Sequence, residues 1–119
     1  MRNLINAGCL FFIVIMMLGC GQHSEIIKEV DTLIEQKKYD QALSVLRRAL
    51  QDDPKDKTLL RKQVLLFLKS ERISYAIAAY RNLDKANPND AVLYKAVRDQ
   101  DPVVRVTAAK ALGLLKEPE

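Results

Sequence analysis

Cysteine, histidine, tryptophan and glycine are scarce in this 119-residue chain, at two, one, none and four. Both cysteines, Cys9 and Cys20, fall in an apolar N-terminal stretch. The rest of the chain therefore offers no disulfide, no thiol nucleophile and no cysteine metal site. The single imidazole, His23, follows that stretch with no second imidazole or ligand cluster beside it, and reads as a linker residue rather than a metal ligand. Without a histidine base, the serines Ser24, Ser44, Ser70 and Ser74 lack an activating partner. No glycine-rich phosphate loop is present. The expectation is a protein that is not an enzyme and holds no metal or cofactor. Lys and Arg number 19 against 15 acids, a net charge of +4. That excess is spread along the chain, with no basic stripe interleaved with stacking aromatics, which argues against nucleic acid.

What is present starts with a short positive segment, Met1-Arg2-Asn3, and an unbroken apolar run from Leu10 to Leu18. As a helix that run spans about 13 Å, well short of the ~30 Å hydrocarbon core, and matches the central part of an export signal. It ends at Gly19-Cys20-Gly21 and turns polar at Gln22-His23-Ser24-Glu25. The stretch Met17-Leu18-Gly19-Cys20 resembles the lipobox of bacterial lipoproteins, with Met17 where leucine is usual and Leu18 bulkier than the common neighbour. The resemblance implies that residues 1–19 are removed, that Cys20 carries a diacylglycerol thioether, and that 20–23 form a tether. Several acyl chains on one residue give stable membrane anchoring, which a single chain does not. Gly21 in place of aspartate implies, by the same resemblance, an outer-membrane lipoprotein of the bacterial cell envelope facing the periplasm. Two other readings stay open. Gly19-Cys20-Gly21 also satisfies a small-x-small cleavage rule that would release a soluble periplasmic protein, and residues 4–21 make a marginal uncleaved anchor. All three place the body outside the cytoplasm. That body, from Cys20 onward, is long enough for one domain with a single core.

The body repeats with a period of 34 residues. Residues 23–56 and 57–90 share the pairs Lys28/Lys62, Val30/Val64, Ala42/Ala76, Arg47/Arg81, Pro54/Pro88 and Asp56/Asp90. Conservative apolar matches accompany them, among them Leu33/Phe67, Ile34/Leu68 and Leu46/Tyr80. A fixed period of this size marks a solenoid of stacked units. Each unit reads as two helices. Ile26, Ile27, Val30, Leu33 and Ile34 follow helical spacing, as do Ala42, Leu43, Leu46, Ala49 and Leu50. Ser24, Asp40, Asp56 and Ser74 are expected as caps, and Pro54 and Pro88 as terminators. The pattern Tyr39, Ala42, Leu46, Ala49 and Pro54, with Ala76, Tyr80 and Pro88, resembles the tetratricopeptide repeat over residues 23–90. The first helices depart from it, with Ile26 and Leu60 in place of a large aromatic and Val30 and Val64 in place of a small residue.

After residue 90 the pattern changes. A short helix is expected over 91–98 with Asp90 as cap, then a second with Asp101 as cap and Pro102 at its first position. Asp101-Pro102-Val103-Val104-Arg105 with Ala108-Ala109-Lys110-Ala111-Leu112-Gly113 resembles a HEAT-like repeat. Its inter-repeat Asp and Arg ladder cannot form fully with one unit, so Arg105 either bonds locally or meets a partner. The fold expected is all-α: a short right-handed helical-hairpin solenoid, two tetratricopeptide-like units over 24–90 and one HEAT-like unit over 91–119.

The tetratricopeptide resemblance implies a concave face built from first helices that receives an extended or helical peptide. By register it carries Ser24, Ile27, Asp31, Ile34 and Glu35, then Thr58, Arg61, Leu65, Leu68 and Lys69. Ile27 and Asp31 replace the lysine and asparagine of the family's chaperone-tail clamp, so that ligand is disfavoured. The groove expected comprises Ile27, Asp31, Ile34, Glu35, Arg61, Leu65, Leu68 and Lys69, a mixed surface suited to an amphipathic protein or peptide partner in the cell envelope. Val103, Val106 and Leu114 lie off the last helix's main apolar face and form a candidate end-on interface. The function expected is a non-enzymatic adaptor or scaffold, assisting assembly of a membrane complex as tetratricopeptide lipoproteins of this kind do. The alternatives are a self-associating structural lipoprotein, forming a homo-oligomer, and an accessory subunit of an envelope enzyme complex.

Overall fold

The computed structural model describes residues 24–116, so the apolar N-terminal segment, Cys20 and His23 lie outside the described residues. Among those residues the regular structure is entirely helical, and no helix is long and apolar enough to cross a membrane. Helix α1 covers residues 24–35, followed by α2 (Tyr39–Asp52), α3 (Lys57–Lys69), α4 (Ile73–Ala86), α5 (Val92–Ala96) and α6 (Pro102–Lys116). The 34-residue period thus appears as two helical hairpins, α1–α2 and α3–α4, and a third hairpin, α5–α6, stacks on the second.

The helices end where the chemistry of the sequence dictates. Helix α2 stops at Asp52, just before Pro54, and α4 stops at Ala86, just before Pro88. Asp56 caps α3, its carboxylate accepting the Leu59 N–H at 3.0 Å. Asp101 accepts the Val103 N–H at 2.9 Å, with Pro102 first in α6. The other four expected caps are corrected: Asp90 stands one residue before Ala91, the position that precedes α5, although its Oδ1 accepts the Val92 N–H. Ser24, Asp40 and Ser74 all stand inside their helices, and neither Lys38 nor Arg72, the residues preceding α2 and α4, caps with a side chain.

For Asp40 and Ser74 the reason is the turn between the helices of each hairpin. Lys38 N–H bonds back to Leu33 O at 2.8 Å and Lys37 N–H to Ile34 O at 2.9 Å. The second hairpin repeats this one period later, Arg72 N–H to Phe67 O at 2.9 Å and Glu71 N–H to Leu68 O at 3.1 Å. These are paired six-to-one and five-to-two bonds around a left-handed residue, Lys37 at φ 60° and Glu71 at φ 61°. The turn delivers the chain into the next helix within three residues and leaves no extended position for a capping side chain.

Helix α3 is the hub. It packs against α2, most extensively against α4, and against α5 and α6. Leu59, Leu60, Val64, Leu66, Phe67 and Leu68 are all buried, their side chains spread around most of the helix between polar positions such as Arg61, Lys62 and Gln63. Six leucines are completely enclosed, namely Leu46, Leu59, Leu66, Leu68, Leu83 and Leu93, each worth about 2 kcal/mol over an exposed side chain. Ala42 and Ala76 are fully buried at equivalent positions, where their small size admits the neighbouring helix. Helix α5 is shorter than expected, because Arg98 and Asp99 turn off it through tight bonds to Lys95 O and Ala96 O. Arg105 bonds locally, its Nη1 donating to Asp99 O at 2.7 Å and Gln100 O at 3.0 Å.

Candidate partner-binding groove

The first helices of the successive hairpins, α1, α3 and α5, border a continuous depression. One part, about 190 Å³, is lined by Asp31 and Ile34 of α1, Lys62, Leu65 and Lys69 of α3, Asp99, and Val104 of α6. The adjoining part, about 510 Å³, runs from Arg61 and Leu65 across the Asn87–Val92 turn to Lys95, Ala96 and Asp99. Leu65 and Asp99 line both. Leu65 is only half-buried although it sits among fully buried neighbours, so it forms the apolar floor of the groove.

Most of the charges that flank this floor are already paired. Lys62 Nζ meets Asp31 Oδ1 at 2.6 Å, joining α3 to α1. Lys69 Nζ lies 3.9 Å from Asp101 Oδ2, reaching toward α6. Arg61 Nε donates to Asp90 Oδ2 at 2.7 Å, with Nη2 at 2.6 Å from the same oxygen. Asp90 is the buried member of the group. It also accepts from Asn87 Nδ2 at 2.8 Å and, through Oδ1, from Val92 N–H at 3.0 Å, while Tyr80 Oη donates to its carbonyl at 3.4 Å. Burial alone would push the Asp90 carboxyl up, but the bonds from Arg61, Asn87 and Val92 outweigh it and hold the group below the ordinary carboxylate value. Arg61 is raised in turn, chiefly by its bond to Asp90. The guanidinium is thus a permanently charged part of the wall.

Of the expected groove residues, Asp31, Ile34, Leu65 and Lys69 come together, and Arg61 lines the adjoining part. Leu68 does not belong there. It is fully enclosed in the core, because α3 is covered on the side where Leu68 points and open where Leu65 points. Ile27 and Glu35 line neither part, Ile27 resting against the core and Glu35 being exposed. Lys62, Asp99, Val104 and Asp90 were not among the expected residues. The repeat carried a signal for two of them, since Lys62 and Asp90 each match a residue 34 positions earlier. Nothing local points to Asp99 or Val104, which arrive from the third hairpin. Val103, Val106 and Leu114 are 38%, 54% and 49% exposed, and their spacing aligns them along one flank of α6.

Stacked helical hairpins whose first helices border a groove define a helical-repeat scaffold. The family model of the tetratricopeptide repeat matches residues 33–100, more than half of the chain, and the chain belongs to that family. The match runs through α5, the first helix of the third hairpin. No curated protein and no solved structure matches the chain. Repeats of this family mediate protein–protein interaction, and a protein partner follows for this chain at that level.

Proposed function

We propose that the chain is a non-enzymatic adaptor that holds a protein partner in the groove along α1, α3 and α5, anchored to the bacterial envelope through acylated Cys20. The observation that carries this reading is the half-buried Leu65 between closed ion pairs. Charges that neutralise one another across a groove leave apolar contact as the main reward for an occupant, and an amphipathic helix or peptide supplies it. The lipobox resemblance at Met17–Cys20 supports the anchor and an outer-membrane location facing the periplasm. In this reading α5–α6 acts as the HEAT-like closing hairpin, and the adaptor assists assembly of a membrane complex.

A photoreactive residue at Leu65, crosslinked in living cells and followed by mass spectrometry, tests the groove. One defined partner in the adducts supports the adaptor; no adduct beyond background removes it. The anchor is tested separately by the intact mass of the chain from the membrane fraction. An acyl-glycerol mass on Cys20, lost in Cys20→Ser, supports it, whereas an unmodified Cys20 overturns it.

A second reading rests on the exposed α6 flank of Val103, Val106 and Leu114. Apolar surface aligned on the last helix favours self-association. Crosslinking from Val106 that yields only self-adducts would favour that structural role, and a monomer in concentrated sedimentation runs would remove it.

A further inference from the structure

The other side of the first two hairpins carries a cleft of different character. It opens where the C-terminal ends of α2 and α4 meet the first turns of α3, and measures about 500 Å³. Three cations stand around it, Arg47, Lys55 and Lys85, and no carboxylate of the described residues lines it. None of the three makes an ion pair or hydrogen bond with another described residue. Asp52 and Asp53 lie beside the cleft without lining it, Asp84 accepts the Asn89 N–H at 3.0 Å, and Asp56 caps α3.

The contrast with the groove is what gives this cleft meaning. In the groove, Arg61, Lys62 and Lys69 face Asp90, Asp31 and Asp101. In the cleft the three lining cations face no lining carboxylate, so the favoured occupant is an anion. Its other features narrow the class. Gln51, Gln63 and Asn82 add side-chain amides, which both donate and accept and so suit a peptide backbone. Leu50, half-buried, and Leu60, buried, form an apolar floor between the cations. The cleft is open to solvent and wide enough to receive several side chains rather than a single ion.

We propose that this cleft docks an acidic peptide segment of a partner protein, with carboxylates to either side of one apolar side chain. The carboxylates meet Arg47, Lys55 and Lys85, and the apolar side chain rests on Leu50 and Leu60. This site is separate from the groove and stands whether or not Leu65 contacts a partner.

The test uses the full chain, held in a non-ionic detergent and followed by amide NMR shifts. The probes are a short peptide of alternating glutamate and leucine and its glutamine counterpart. Saturable shifts centred on Leu60 and Gln63 are expected with the acidic peptide, weakening about tenfold as salt rises from roughly 50 to 500 mM. Arg47→Glu and Lys85→Glu each weaken binding about tenfold, while Lys110→Glu, a charge reversal on the exposed side of α6, leaves it unchanged. Equal binding of the glutamine peptide, salt-independent binding, or indifference to both charge reversals overturns the proposal. So does a result in which anionic phospholipid vesicles shift these amides and the peptide does not, which would assign the cleft to a lipid headgroup.

Discussion

Arg61 Nη2 stands 2.6 Å from Asp90 Oδ2, and this pair, 29 positions apart, ties α3 to the turn that opens α5. Asp90 serves at once as the anion for Arg61, the acceptor for Asn87 and the acceptor for the first turn of α5. Removing it leaves three donors without their partner. Asp90→Ala is expected to destabilise the fold by about 2–4 kcal/mol, read as a fall in thermal midpoint. Asp90→Asn keeps an acceptor for Val92 N–H and should cost less. A midpoint unchanged in Asp90→Ala would show that the network contributes nothing to stability.

The same carboxylate makes stability depend on pH. Its folded value is depressed, while unfolded it titrates near pH 4. The stability it contributes is therefore complete above about pH 4 and is lost as pH falls through the lower, folded value. The gap in unfolding midpoint between the wild-type chain and Asp90→Asn should narrow steadily as pH falls from about 5 to 2. A gap that stays constant over this range would contradict the assignment.

Lys37 and Glu71 occupy the left-handed region one period apart, without a β-carbon-free residue at either place. A side chain there costs about 1 kcal/mol, which glycine does not incur, though glycine gives part back through its freer unfolded chain. Lys37→Gly and Glu71→Gly should each stabilise by about 0.5–1 kcal/mol in denaturant titrations. Asn89, at φ 65°, belongs to a residue type that tolerates this region, so Asn89→Gly should have little effect.

Ala42 and Ala76 are both completely buried at equivalent places in α2 and α4. Enlarging either to leucine forces apart helices that now touch. Each substitution should cost about 1–3 kcal/mol and broaden side-chain NMR signals in the core. Ala78→Leu, on the exposed side of α4, serves as the control and should be close to neutral.

The 34-residue period, the apolar spacing within each helix and the terminating Pro54 and Pro88 were legible in the amino-acid sequence. Each is a local property, set by backbone geometry and by side chains a few positions apart. The caps at Asp56 and Asp101 were legible for the same reason. Those expected at Asp40 and Ser74 were not, because a left-handed turn at Lys37 and Glu71 carries no marker without glycine. The tetratricopeptide resemblance, read by register, set the first helices along a groove and assigned Asp31, Ile34, Arg61, Leu65 and Lys69 to it.

Tertiary structure alone decided which side of α3 stays open. Leu65 and Leu68 are three positions apart in the unbroken apolar run from Val64 to Leu68, so spacing cannot separate floor from core. What separates them is that the neighbouring helices pack around α3 and leave one strip uncovered. Asp99 and Val104 reach the groove only because the third hairpin folds back on the second. The charge balance of the two surfaces arises in the same way, since pairing depends on which residues meet across elements. Lys62 finds Asp31 and Arg61 finds Asp90, while Arg47, Lys55 and Lys85 converge on a cleft that no carboxylate of the described residues lines.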